Sequence, residues 1–187
     1  MSEVLKALKD RRSVRSFTDE PVSEADLKTI LETAAYAPTA RNTQAWRATV
    51  VRGLDNVARL NEAVKKANQQ PGYERYKELT ATASYSINFH KAPIFIVVGV
   101  DRTESVCQAE DGALVIGYIL LAAHALGLGA CWINQLGVIT DEPEFRAYLT
   151  SIGFPETHRI IGCVALGRRA SNPPVPNRNL DHYNIVG

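Results

Sequence analysis

The sequence lacks several features that would assign it to a special class of protein. It has no apolar run close to the roughly 20 residues that span a bilayer, and its first ten residues have no signal-peptide core. Its three cysteines, Cys107, Cys131 and Cys163, are odd in number and far apart, which argues against a disulfide framework or a zinc site. These absences predict a cytoplasmic protein without a membrane partner.

An excess of charge of one sign is also missing. Lys and Arg number 21 against 20 Asp and Glu, so no overall field draws the chain toward nucleic acid. The four histidines are scattered, without the spacing of a metal site or of a Ser-His-Asp or Cys-His arrangement. We therefore predict no metal and no nucleic-acid partner, and we name no catalytic side chain. If the chain is an enzyme, a cofactor supplies the difficult chemistry.

What is present is an alternation of helical and strand patterns, which we interpret as one domain over residues 1–187. Helical patterns cover residues 2–9, the segment between Ser23 and Pro38, 54–68, part of 74–86, 109–126 and 141–151. Strand patterns cover residues 47–52, 93–100, 130–134 and 159–166. This order indicates an α/β or α+β protein. Residues 170–187 have no periodicity and end in apolar side chains, so they predict an extended tail that needs a surface such as a partner subunit.

A basic cluster follows the first helix. Arg11, Arg12 and Arg15 flank Ser13 within five residues. Several guanidinium groups and a hydroxyl suit a phosphate monoester. Basic residues at the end of a helix also stabilise its dipole, and a nucleic-acid patch is a third interpretation, although no aromatics are interleaved. The cluster alone leaves these alternatives open.

Two further segments carry informative patterns. Residues 38–46 form a loop of amide and hydroxyl side chains that can bind the edge of a planar heterocycle, or that can be a polar turn anchored by Trp46. Residues 127–134 do not fit the dinucleotide-binding fingerprint, because a helix precedes them, a strand follows and the third glycine is missing. A helix C-cap explains the glycines, and the strand end can present backbone N–H groups to a ligand.

Taken together and in this order, these segments resemble the nitroreductase family of FMN-dependent oxidoreductases. The resemblance covers nearly the whole chain and rests on residues 11–17, 37–46, 92–93 and 122–132. It implies an α+β fold with a mainly antiparallel central sheet wrapped by helices. It also implies an intertwined homodimer with two FMN sites at the interface, and a C-terminal tail that reaches the partner subunit. One departure is Ala45, where the family commonly has proline.

The resemblance also implies which residues form the FMN site. The residues implied to contact the phosphate and ribityl chain are Arg11, Ser13 and Arg15, with Arg12 close by. The residues implied to line the ring from the second subunit are Pro38, Thr39, Ala40, Asn42 and Gln44. The residues implied to pass along the ring are Trp132, Ile133 and Asn134, with a backbone N–H near flavin N5. Asn88 corresponds to a contact with the pyrimidine edge, and a second phosphate clamp comes from Arg178 or, alternatively, from Arg168 or Arg169.

The reaction implied by the resemblance is a ping-pong hydride transfer. NADH or NADPH reduces the flavin and leaves, and a nitroaromatic, quinone or similar acceptor is then reduced. Enone reduction, dehalogenation and flavin breakdown remain open as alternatives, and so does a flavin-sequestering protein with negligible turnover. The sequence contains no motif that separates NADH from NADPH or that identifies the acceptor.

Overall fold

Helices and strands form close to where apolar periodicity predicts them. The computed structural model describes residues 2–74, 76–77, 89–179 and 181–187. The helices in this part are α1 (Glu3–Asp10), α2 (Glu24–Ala34), α3 (Leu54–Asn68), α4 (Gln108–Ala125), α5 (Gln135–Val138) and α6 (Pro143–Ser151). The strands are β1 (Trp46–Arg52), β2 (Ile94–Asp101), β3 (Gly129–Ile133) and β4 (His158–Gly167). Short 3-10 turns cover Ala40–Asn42 and Phe89–Lys91. Most of the helix predicted within 74–86 lies outside the described residues.

Local capping explains where several helices begin and end. The Ser2 and Ser23 hydroxyls accept backbone N–H groups of the first turns of α1 and α2, at 3.4 and 3.0 Å. Helix α6 begins at Pro143, whose missing N–H costs nothing in a first turn. After α4 the chain turns at Gly127, whose φ of 76° is the left-handed conformation that favours glycine.

In the described part of the chain, four strands form one antiparallel sheet in the order β1-β2-β4-β3. Strands β2 and β4 lie in the centre and are almost continuously apolar and buried, as central strands require. Strands β1 and β3 form the two edges. The predicted α+β fold with a mainly antiparallel sheet is therefore confirmed.

Apolar layers cover both faces of the sheet. One layer lies against α3 and α6 and includes Leu60, Phe95 and Phe145. The other lies against α2 and α4 and includes Ile30 and Ile119. Burial of each such side chain stabilises the fold by about 1.5–3 kcal/mol. These two layers hold the ends of the strands, where the polar segments lie, in fixed positions.

One side of α4 is less well covered than the rest. Its residues recur at helical spacing along one face and are half-buried or exposed; we name them the α4 outer stripe: Ala113, Leu114, Gly117, Tyr118 and Leu121. Leu114, the most exposed of them, is 44% exposed. The apolar side chains of this stripe are therefore covered less completely by the described part of the chain than those on the inner face of α4.

The C-terminal tail contributes little to the core. Its described residues form no helix or strand, and four of its apolar side chains lie largely in solvent: Val175, Tyr183, Ile185 and Val186. The tail therefore has apolar surface that the described part of this chain does not bury. Among the described helices, none has the length and the apolar character that crossing a bilayer requires.

Candidate functional site

The basic segment 11–15 runs along the outer edge of β3. Ser13 pairs in parallel with Ala130, and the Val14 N–H donates to the Ala130 carbonyl at 3.0 Å. Val14 packs directly on Gly129, where an added Cβ would lie 2.7 Å from Val14 Cγ1. This close approach requires glycine at 129. The sheet edge, and not only the end of α1, therefore fixes the path of the segment.

Three of the predicted phosphate ligands lie around the Cys131 thiol. Burial raises the pKa of this thiol, while the charge of Arg15, a hydrogen bond with Ser13 and the charge of Arg11 act in the opposite direction. Arg15 also lies near His90, whose pKa is lowered by burial and then by the Arg15 charge. Two guanidinium groups and one hydroxyl thus act on the same thiol at the edge of β3. This donor set fits the charge and the hydrogen-bonding capacity of a phosphate.

Arg12 is directed elsewhere. Its guanidinium donates to the carbonyls of Lys9 and Arg11 at 2.6 and 2.8 Å, so it caps the C-terminal end of α1. It also lines a cavity of about 250 Å³ together with His124 and Arg169. The helix-end interpretation of the basic cluster therefore describes Arg12, and the structure does not bring this side chain together with the other three.

The three candidate clamp arginines differ in their partners. Arg168 forms an ion pair with Asp26 at 3.6 Å. Arg169 donates to the carbonyls of Gly127 and Leu128 at 3.0 and 3.3 Å, which joins the base of the tail to the turn after α4. Arg178 is exposed and has no hydrogen bond or ion pair with the residues that the structure describes. Of the three, Arg178 has the side chain that is free to bind a ligand.

The loop that precedes β1 has an unusual backbone. Arg41, Asn42 and Gln44 have φ values of 55°, 54° and 52°, a region that residues other than glycine seldom occupy. Within the loop, Thr39 accepts the Asn42 N–H on its carbonyl at 2.9 Å and the Gln44 N–H on its hydroxyl at 3.0 Å. Each strained residue costs about 1–3 kcal/mol, so the surrounding structure must hold the loop in this shape.

Asp111 is the residue of this region that sequence reasoning missed. It lies in the first turn of α4 and is 2% exposed. Its Oδ1 accepts the Ala40 N–H at 2.7 Å, and its Oδ2 accepts the Ser105 hydroxyl at 2.7 Å. The available signal was a carboxylate on the inner face of an otherwise apolar helix, where an acidic residue is almost never buried unless it is paired.

The predicted residues at the end of β3 follow Cys131 directly, but the exposed ones line a cavity that does not include the predicted phosphate ligands. Ile133 is buried in the core, so that only its backbone can face a ligand. Trp132 is 36% exposed and, with Asn134, lines an open cavity of about 900 Å³ that also includes Arg102 and Arg159. That cavity shares no lining residue with the 11–15 segment. Asn88 lies outside the described residues.

The register of the sheet shows how far apart the two main segments are. Ser13, Ala130, Leu166, Ile94 and Arg52 lie in one row across the strands. This row spans about 19 Å, and the start of β1, next to the loop, lies about 20 Å further along that strand. In one chain the 11–15 segment and the 38–44 loop therefore lie at diagonally opposite corners, about 28 Å apart.

Comparisons with known proteins agree with this architecture. A nitroreductase of Bacteroides fragilis solved with bound FMN is 36% identical, covers 100% of both chains and superposes with a TM-score of 0.90. A nitroreductase with bound FMN from Desulfitobacterium hafniense is 26% identical over 100% of both chains, with a TM-score of 0.86. An FMN reductase (NAD(P)H) of Bacillus subtilis is 29% identical over 97% of this chain and 74% of its own length. The model of the nitroreductase family matches residues 8–168, and the chain therefore belongs to the nitroreductase family.

Proposed function

We propose that this chain is an NAD(P)H-dependent flavin oxidoreductase that holds FMN between two subunits. Family membership, the FMN-bound solved relatives and the FMN reductase relative support the cofactor and the class of reaction. The observation that carries the two-subunit site is the diagonal separation of the 11–15 segment from the 38–44 loop. At about 28 Å, the two groups of proposed FMN contacts lie far apart in one chain, so a single subunit does not bring them together.

A twofold axis resolves this separation. Helix α4 has 18 residues and is about 27 Å long, and it runs from the corner of the loop, at Asp111, to the corner of the basic segment, at His124. Two copies that pair their α4 outer stripes in antiparallel orientation bring the loop of one subunit beside the basic segment of the other. The exposed apolar tail supports the same assembly, because a partner subunit offers a surface to cover it.

Within this assembly the chain's own residues bind and orient the cofactor. Arg11, Ser13 and Arg15 hold the phosphate and the ribityl chain, and Arg178 completes the clamp. The partner's loop lines the ring with Pro38, Thr39, Ala40, Asn42 and Gln44. The backbone of residues 132–134 provides donors along the ring, where negative charge develops on reduction. Arg12 supports the site indirectly, because its hydrogen bond to the Lys9 carbonyl fixes the end of α1, where the basic segment begins.

The chemistry that bound FMN supplies is hydride transfer at N5, from NADH or NADPH to an acceptor such as a nitroaromatic or a quinone. The protein contributes position and electrostatics, and we assign no side chain as nucleophile or proton donor.

Anaerobic reduction tests the proposed function. The purified protein is supplied with FMN, separated from free cofactor and titrated with NADH and with NADPH, while flavin absorbance is followed. We expect bleaching by at least one nucleotide and recovery of the yellow colour on addition of a nitro, quinone or enone acceptor. A colourless protein that does not retain FMN contradicts the proposal. A yellow protein that neither nucleotide bleaches supports flavin sequestration instead.

A further inference from the structure

We propose that Asp111 is a positioning residue that holds the loop of residues 39–44 in the shape that receives the flavin ring, an inference that rests on the proposed function. The loop is the part of the site that comes from the second subunit. Asp111 itself touches neither the ring nor the phosphate and acts through the backbone of Ala40.

The contacts of Asp111 are those of a fully engaged carboxylate. Both of its oxygens accept hydrogen bonds at 2.7 Å, one from the Ala40 N–H and one from the Ser105 hydroxyl. The Ser105 oxygen in turn accepts the Cys107 N–H at 3.1 Å. The side chain is 2% exposed, so these bonds are shielded from water. Hydrogen bonds to an ionised acceptor are shorter and stronger than neutral ones, and here they join three separate parts of the chain.

The loop depends on this contact because its other hydrogen bonds are internal. Thr39 bonds to Asn42 and Gln44, and the Thr43 N–H donates to the Ala40 carbonyl at 3.2 Å. Among the described residues, the hydrogen bond that ties residues 39–44 to the rest of the protein is the one from Ala40 to Asp111. Internal bonds move with the loop, whereas the bond to α4 fixes its location. Three residues in the left-handed region would relax if that bond were lost.

The position of Asp111 on α4 gives the contact a second consequence. Ala113 and Leu114, the first members of the α4 outer stripe, follow Asp111 by two and three residues. One rigid helix therefore carries both the attachment of the loop and the surface that meets the partner. When the two helices pair, the bond to Asp111 therefore fixes the position of the loop relative to the partner's basic segment.

The test compares Asp111→Ala with the unaltered protein in two measurements. Affinity for FMN is measured by quenching of flavin fluorescence, and amide hydrogen exchange of residues 40–44 is measured in the cofactor-free protein. We expect FMN binding at least about tenfold weaker, since a charge-assisted hydrogen bond is lost and a smaller fraction of loops is competent to bind. We also expect faster exchange confined to the loop and to the neighbouring Ser105 turn.

Two further variants separate positioning from general stability. Asp111→Asn keeps an oxygen acceptor for the Ala40 N–H, so we expect it to retain FMN within about threefold and to keep the loop amides protected. Glu144→Ala removes an exposed carboxylate from the first turn of α6 and serves as the matched control, with neither measurement altered. If Asp111→Ala does not fold, Ala40→Pro removes the donor from the other side of the same hydrogen bond, and the same losses are expected.

The outcomes distinguish this inference from the proposed function. If the unaltered protein binds no FMN, the proposed function fails, and the exchange measurement still decides whether Asp111 holds the loop. Unchanged loop exchange in Asp111→Ala overturns the inference. So does faster exchange with FMN affinity within twofold of the unaltered protein, because the loop shape would then be irrelevant to the flavin.

Discussion

Neighbouring basic residues have different roles at the start of this chain. The segment runs in an extended conformation beside β3, and successive side chains of an extended chain point to opposite sides. Arg11, Ser13 and Arg15 therefore converge near Cys131, while Arg12 turns back to the α1 carbonyls. A count of positive charges would treat the three arginines as equivalent, whereas the geometry leaves Arg11 and Arg15 as the candidate phosphate ligands that we propose.

Charge reversal at Arg15 tests the phosphate assignment. Arg15→Glu places a carboxylate beside the expected phosphate, and we expect FMN affinity to fall by at least about tenfold because a charge-assisted hydrogen bond is replaced by repulsion. The matched control is Arg59→Glu, an identical change on the outer surface of α3. Equal FMN affinity of the two variants, measured by fluorescence titration, would show that the phosphate binds elsewhere.

Three histidines give the stability of the cofactor-free protein a defined dependence on pH. Burial lowers the pKa of His90, His124 and His158 in the folded state. The unfolded chain therefore binds more protons below the ordinary histidine value of about 6.5, and the free energy of unfolding decreases as the pH falls through that range. We expect a lower denaturation midpoint in urea at pH 5.5 than at pH 7.5.

A variant of His124 measures how much of this pH dependence comes from a single histidine. His124→Gln removes one of the three groups, and we expect a smaller difference between the two pH values than in the unaltered chain. Asp101 does not interfere, because hydrogen bonds from Thr103 and Thr157 lower its pKa, so its own contribution is lost only in stronger acid. A midpoint that is constant or higher at pH 5.5 would contradict the assignment.

The candidate site residues lie at or beyond the ends of helices and strands, and few lie in their interiors. Apolar periodicity and N-cap serines are local signals, so the sequence predicts α3 over 54–68 and most other described elements to within about two residues. The exceptions are α2, which ends at Ala34 and not at the predicted stop at Pro38, and the four-residue helix α5, which no sequence pattern indicated. The strand order could not be predicted in this way, because β2 pairs with β4 across three intervening helices and a strand. The bond between Ala40 and Asp111 spans 71 residues, and no local pattern specifies it. The contacts within the FMN site remain predictions from resemblance.

The joint between the basic segment and β3 is sensitive to one methyl group. In Gly129→Ala the new Cβ lies 2.7 Å from Val14 Cγ1, so the segment must move away from the strand. We expect a loss of about 1–3 kcal/mol in the free energy of unfolding, together with weaker FMN binding. Calorimetry and fluorescence titration measure the two effects.

The companion change for this joint is Val14→Ala. Val14→Ala removes Cγ1, the atom nearest to the Cβ that Gly129→Ala adds. In a double-mutant cycle we therefore expect the double variant to lose less free energy of unfolding than the sum of the two single losses. Strict additivity would show that the segment and the strand are not coupled at this point.

At the scale of the whole molecule, the proposed FMN site is divided between two subunits, because one chain holds its two parts far from each other. The basic segment and the loop lie at opposite corners of the sheet, and the 18-residue helix α4 extends from one corner to the other. In the proposed twofold pair there are two sites, each built from one corner of each chain. This arrangement makes the assembly testable by mixing defective subunits.

Mixed dimers provide that test. Arg15→Glu damages the phosphate half of a site, and Ala40→Trp fills the loop half with an indole ring, so each homodimer lacks an intact site. When the two chains are unfolded, mixed in equal amounts and refolded, we expect about one quarter of all sites to be intact and to bind FMN. If both halves of each site came from one chain, the mixture would bind no FMN beyond the two separate samples.

The diagonal separation of the corners also links the supply of cofactor to the association of the subunits. A ligand that contacts two chains binds the pair and not the separated subunits, so free FMN shifts the association equilibrium by mass action. Dilution should then release cofactor and separate subunits in the same concentration range, and added FMN should move that range to lower protein concentration. On the proposed two-subunit site, loss of FMN therefore favours separate chains, each with an exposed α4 outer stripe and an unburied apolar tail.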